Sequence, residues 1–210
     1  MDYQNARSEL IHCGEGLVHR LADLDCCHKA KTERLVNELV SKVQASSRAQ
    51  LQDFPSWPLV DEWLREVMKP LQPRKRCLVL HGPSCTGKTE FVRALFPPGA
   101  VLELNCANVQ DICLEGFNCL RHRAILWDAA SASFVINNCK IFQHPHCPVD
   151  VGHSRSGSHV RRYFLGNCCS VITTEIWTED LNKLPRCDQM WLQANMVVCN
   201  VEQPLWEKPL

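Results

Sequence analysis

The stretch GPSCTGKT at residues 82–89 constrains this chain more than any other. It matches G-x-x-x-x-G-K-[ST] at every fixed position, and its surroundings fit the motif. CLVLH before it is a buried-strand pattern, and EFVRALF after it has helix-compatible spacing. A loop of this kind wraps a phosphate chain with convergent backbone N–H groups, which Gly82 and Gly87 are expected to permit by tolerating special φ/ψ values. Gly82, Pro83, Ser84, Cys85, Thr86 and Gly87 are therefore predicted to cradle the phosphates of a nucleoside triphosphate. Lys88 would reach the β- and γ-phosphates, and the Thr89 hydroxyl would ligate Mg²⁺. The N-terminus of the following helix adds its own positive end.

Such a loop needs an acidic side chain on a neighbouring strand to hold the metal, commonly followed by a carboxylate that polarises the attacking water. RAILWDAAS at 123–131 supplies the first as Asp128, at the end of an apolar run. The next residue is Ala129, which can accept no proton. Asp128 is predicted to be the second Mg²⁺ partner.

The texture around these motifs gives the fold class. From Arg76 onward CLVLHG, AVLELN, RAILWD, SVITTE and MVVCNV recur as short apolar runs between helical or loop segments, the pattern of an α/β domain with a mostly parallel sheet. Upstream, residues 1–53 contain no Pro. Leu35, Leu39 and Val43 with Val36 and Val40 recur at helical spacing, so 31–52 read as an amphipathic helix, with another around Leu17 to Leu24. FPSWP at 54–58 breaks the pattern; Leu59, Val60, Trp63, Leu64 and Val67 resume it in a further helix ending near KPLQP, with a linker at 69–76. The organisation predicted is a helical segment over 1–56 and a nucleotide-binding domain over 57–210.

Composition excludes several classes. The 23 basic and 23 acidic side chains cancel, so no global field attracts nucleic acid or membrane, and any polyanion site must be local. The apolar runs are far short of a membrane span, and MDYQNARSEL is charged rather than signal-like, which predicts a soluble intracellular protein with no membrane partner. Fourteen Cys in 210 residues, about 7%, fall below the ~8–10% of disulfide scaffolds, and most read as reduced, packed thiols. No Cys-x2-Cys pair occurs. His144, His146, Cys147 and His153 are the densest metal candidate, and a Pro-rich polar loop is the simpler reading of that stretch. Basic residues do gather: Lys140, Arg155, Arg161 and Arg162 stand against the single acid Asp150, followed by Tyr163 and Phe164. Arginines beside aromatics suit a single nucleic-acid strand, and a solvated hairpin tip fits the residues equally well.

GPSCTGKT, AILWDAAS and SVITTEIW, in that order, resemble the three motifs of the superfamily 3 helicase domain. The resemblance is nearest to replication-associated (Rep) proteins of circular single-stranded DNA viruses and Rep-like copies in cells. KIFQHPHCPVDVGHSRSGSHVRRYFLGNCCSVITTEIW looks like the segment that family carries between its Walker B and sensor strands, and DQMWLQANMVVCNVEQPLW like the end of its domain. The resemblance covers about residues 57–210. It implies an AAA-like helicase core, a P-loop NTPase assembled as a hexamer that binds ATP at subunit interfaces and moves single-stranded DNA, with a nuclear location plausible. It also implies that Lys88 and Asp128 are catalytic, that Glu175 occupies the catalytic sensor position, and that Lys140, Arg155, Arg161 and Arg162 contact the strand.

Two departures from the family pattern strike one step. Ala129 stands in place of the second Walker B acid, and Glu175 stands where the sensor strand ends in Asn. Loss of a catalytic base costs ~10²–10⁴-fold, and a carboxylate repels the γ-phosphate unless it is protonated or bound to metal. Loss of turnover ranks above rescue by Glu175 as a substitute base. For the arginine finger that acts from an adjacent subunit, Arg186 is the candidate and Lys183 the runner-up, with solvated surface charge an equal alternative. Tyr3, His12, His19 and His28 show no nicking-domain spacing, so no nicking activity is predicted. Two other functions remain open: a noncatalytic ATP-binding scaffold, and a small-molecule P-loop kinase with Arg155, Arg161 and Arg162 as its lid.

Overall fold

A computed structural model of the chain describes residues 53–69, 74–107, 112, 114, 116–143, 148–151, 161–166 and 168–206. All belong to one compact unit, Arg48–Leu210. The helices expected around 17–24 and over 31–52, the His144, His146, Cys147 and His153 cluster, and Arg155 lie outside the described residues.

The entry helix α1, Pro58–Val67, starts on a proline whose fixed φ and missing N–H suit the first turn. Val60, Trp63 and Val67 recur on one face and are buried. The Trp63 indole Nε1 donates to the Arg76 carbonyl at 2.8 Å, and Arg76 pairs with Glu66 at 2.6 Å. These two contacts fix α1 to the residue preceding the first strand.

Five strands follow the five apolar runs: β1 Cys77–His81, β2 Val101–Asn105, β3 Ala124–Asp128, β6 Cys169–Thr174 and β7 Met196–Asn200. They form one sheet in the order β2-β3-β6-β1-β7, every pair parallel. The uninterrupted apolar character of β1 and β3 has a direct cause: both lie inside the sheet with both faces covered. Leu78, Leu80, Leu126 and Val171 pack on one face with α1 and with Phe91 and Val92 of α2, Lys88–Leu95. Val79, Ile125, Trp127 and Ile172 pack on the other with α3 (Ala132–Asn137), α4 (Cys139–Gln143), α5 (Trp177–Leu181) and α6 (Arg186–Asn195). Helices on both faces of a parallel sheet, with the phosphate loop after β1, make this an α/β P-loop NTPase fold. No described helix is long and apolar enough to cross a membrane.

Cys77, Cys106, Cys168, Cys169 and Cys199 are buried free thiols. Burial pushes Cys77 and Cys169 up to about 12. They are uncharged packing atoms at neutral pH.

One expectation is corrected between β3 and β6. The stretch read as a Pro-rich polar loop contains strand β4, Pro148–Val151, antiparallel to β5, Arg161–Phe164. Pro148 stands first in its strand, the position where a missing N–H is tolerated, and the β-prone residues Tyr163 and Phe164 are its partners' side of the ladder.

Asp180 couples α5 to the segment after β3. It accepts from the Ser133 backbone N–H at 2.6 Å and the Ser133 hydroxyl at 2.9 Å. Burial acts to raise its pKa, but the Ser133 and Ser131 hydrogen bonds and the Lys183 charge outweigh it and hold the carboxyl below its usual value. A depressed folded-state pKa stabilises above the unfolded value near 3.9 and is lost as pH falls through the folded value. Asp180→Ala should therefore lower unfolding free energy by about 1–3 kcal/mol at pH 7, with the difference from wild type shrinking below about pH 4, measured by urea unfolding across pH.

Candidate nucleotide site

Parallel register sets the site. Asp128 is paired with Thr173, and Thr174 with His81, so the carboxyl ends of β3, β6 and β1 finish in one row. The loop after β1, the acid ending β3 and the residue after β6 consequently face one crevice at a strand-order reversal. That crevice has a volume of about 600 Å³ and is lined by Lys88, Thr89, Asp128, Ala129, Thr173 and Glu175, among others.

The loop's two glycines are required for different reasons. Gly82 is needed for close approach: a Cβ there would stand 1.9 Å from the Val201 carbonyl oxygen. The approach is fixed by hydrogen bonds from Gly82 N to the Thr174 carbonyl at 3.1 Å and from Val201 N to the His81 carbonyl at 2.7 Å. Gly87 has φ +80° and carries the Trp206 ring, whose Cζ3 would lie 2.7 Å from an added Cβ. Both glycines take positive φ, +159° at Gly82 and +80° at Gly87, as expected, and at Gly82 the close packing on Val201 excludes a side chain as well. Cys85, with φ +61°, also takes the left-handed region, at a cost of about 1–2 kcal/mol.

Lys88 opens α2 and is buried. Its Nζ donates to the Gly82 carbonyl at 2.9 Å, to the Pro83 carbonyl and to the Thr86 hydroxyl at 3.3 Å. Burial lowers its pKa, partly offset by the Glu175 and Asp128 carboxylates. A desolvated ammonium surrounded by neutral oxygens at the mouth of an anion-shaped loop is suited to exchange a carbonyl for a phosphate oxygen.

Asp128 Oδ1 accepts from the Thr173 hydroxyl and stands 3.5 Å from the Thr89 hydroxyl. A carboxylate beside a hydroxyl is the hard-oxygen donor set that Mg²⁺ takes alongside phosphate and water. Glu175, exposed just after β6, accepts a hydrogen bond from the Ser84 hydroxyl of the loop. Ala129 is exposed at the cleft with φ +58°. Thr173 and the Ser84–Glu175 contact escaped the sequence reading. The signal for Thr173 was present, since two threonines close an otherwise apolar strand.

The structure brings Lys88, Thr89, Asp128 and Glu175 together and leaves the remaining candidates elsewhere. Arg186 is exposed at the first residue of α6, Lys183 is exposed just before it, and neither lines the cleft. Lys140 is exposed on α4; Arg161 and Arg162 are on β5, where Arg162 is exposed. Among the described residues, no group of three or more His, Cys, Asp or Glu is arranged to hold a metal ion.

No protein-family model matches the chain. No curated protein matches it either. Solved structures do. Hsp104 from S. cerevisiae, in complex with ADP, is 13% identical with a TM-score of 0.44, covering 82% of this chain and 36% of Hsp104. NtrX from Brucella abortus, in complex with ATP, is 14% identical with a TM-score of 0.41, covering 87% of this chain and 44% of NtrX. The chain spans less than half the length of either.

The two glycines make a graded prediction. Gly82→Ala should destabilise by at least about 2 kcal/mol, because backbone must move. Gly87→Ala should cost about 1–2 kcal/mol, because its obstacle is a half-exposed ring and an unfavourable φ. Urea midpoints of the two variants measure the order.

Proposed function

We propose that this chain binds ATP–Mg²⁺ and is the P-loop NTPase unit of a Rep-like superfamily 3 helicase, acting on single-stranded DNA, with hydrolysis weakened at Ala129 and Glu175. The observation that carries the reading is the convergence of Lys88, Thr89, Asp128 and Glu175 on one cleft from three adjacent strand ends. Loop residues 82–87 would hold the phosphates, Lys88 would neutralise them, and Thr89 with Asp128 would hold Mg²⁺. The bound metal supplies charge neutralisation on the phosphates.

Reading the site as impaired follows from the chemistry of its residues. Ala129 offers no base beside Asp128. Glu175 brings a second negative charge to the loop, where the resemblance leads one to expect a neutral amide. Its bond to Ser84 holds that carboxylate against the loop. The strand-binding reading draws support from the β4–β5 ladder, inserted between β3 and β6, with Arg161, Arg162, Tyr163 and Phe164 in sequence on β5. Arg186 as an arginine finger is compatible with its exposure away from its own cleft, since a finger acts on a neighbouring subunit's nucleotide. A hexamer is the assembly the resemblance implies.

A noncatalytic ATP-binding scaffold is the second reading, favoured by the same Ala129 and the same Ser84–Glu175 bond. Turnover separates the two. The paired change Ala129→Glu with Glu175→Asn should raise single-stranded-DNA-stimulated ATP hydrolysis by about 10²-fold or more. Unchanged turnover, with ATP still bound, would leave the scaffold and remove the helicase-type assignment.

A further inference from the structure

Segment 201–206, after β7, runs beside the phosphate loop rather than away from it. The Val201 carbonyl packs on Gly82, Leu205 N donates to the Thr86 carbonyl at 3.0 Å, and the Trp206 ring rests on Gly87. The segment is fixed from the other side as well: Trp57 Nε1 donates to the Leu205 carbonyl at 3.3 Å, and Leu205 is fully buried. Trp206 itself is 52% exposed. A large indole held beside an anion-binding loop and left half in solvent retains apolar surface that the fold does not use.

The cleft has a polarity that limits where the rest of a nucleotide can go. Asp128 and Glu175 mark the end that takes metal and terminal phosphate, so an apolar base is disfavoured there. Ile176, 54% exposed beside Glu175, is at that same end and offers no ring. Trp206 instead adjoins the cleft through Gly87, at the start of α2. An aromatic base stacks on an aromatic side chain with a gain that depends on ring area and is indifferent to hydrogen-bond pattern.

We propose that Trp206 is the base-stacking platform of the nucleotide site, giving preference for purine over pyrimidine nucleotides and little discrimination between adenine and guanine. The inference rests on the nucleotide-binding reading above. It makes the segment after β7 part of the binding machinery and Trp206 a specificity-determining residue.

The test compares ATP, CTP and inorganic tripolyphosphate, each with Mg²⁺, binding to the full chain and to Trp206→Ala and Trp206→Phe by calorimetry. Stacking predicts that Trp206→Ala loses about tenfold in ATP affinity, loses less for CTP, and keeps its tripolyphosphate affinity, while Trp206→Phe retains most ATP affinity. Parallel loss of ATP and tripolyphosphate would overturn the proposal, showing that Trp206 only props Gly87. Unchanged ATP affinity in Trp206→Ala would overturn it too, leaving the nucleotide site intact. Wild type that binds neither ATP nor tripolyphosphate would instead remove the reading on which the proposal rests.

Discussion

The parallel pairing of β3, β6 and β1 is the constraint on which the site depends. Register alone places Asp128 beside Thr173 and His81 beside Thr174, so three chemically different loops begin from one edge. A one-residue slip in any of these strands would turn Asp128 or the loop's first glycine to the wrong face. The apolar faces prevent that slip, because Leu78, Leu80, Leu126 and Val171 are committed to one layer and Val79, Ile125, Trp127 and Ile172 to the other.

Close packing around the phosphate loop follows from the same edge. Because β7 lies next to β1, its continuation passes directly over Gly82, and the loop is bounded by backbone where a side chain would otherwise fit. Lys88 is buried, and its ammonium is satisfied by the loop's own oxygens, which lie where phosphate would compete. The loop's oxygens thus satisfy the ammonium when no anion is bound. Arg93 anchors the other end of α2 through Glu103 of β2, so the helix that begins at the loop is tied to the sheet at both ends.

The five sheet strands and the loop were legible because each is written as an uninterrupted apolar run or a fixed-spacing motif. Asp128 was legible for the same reason, as a charge ending such a run. Strand β4 was not, because Pro148 and Asp150 interrupt its apolar pattern and its partner strand β5 follows only after an intervening polar stretch of sequence. Thr173 reads as a strand residue until the register shows which carboxylate it meets. Trp206 carries no local signal at all: its position on Gly87 depends on β7 being the neighbour of β1, which only the sheet order reveals. Gly82 was recognised as necessary for its dihedral freedom, in keeping with its φ of +159°, but the Val201 carbonyl that also excludes a side chain there had no sequence signal.

Direct calorimetric titration of Mg²⁺–ATP into the full chain and into Lys88→Ala tests the central claim, that this strand-end cleft is a nucleotide site. The account predicts saturable binding by wild type and a loss of about a hundredfold or more in Lys88→Ala, since a buried charge-assisted contact to phosphate is removed. Equal affinity of the two proteins, with Lys88→Ala folded, would contradict it.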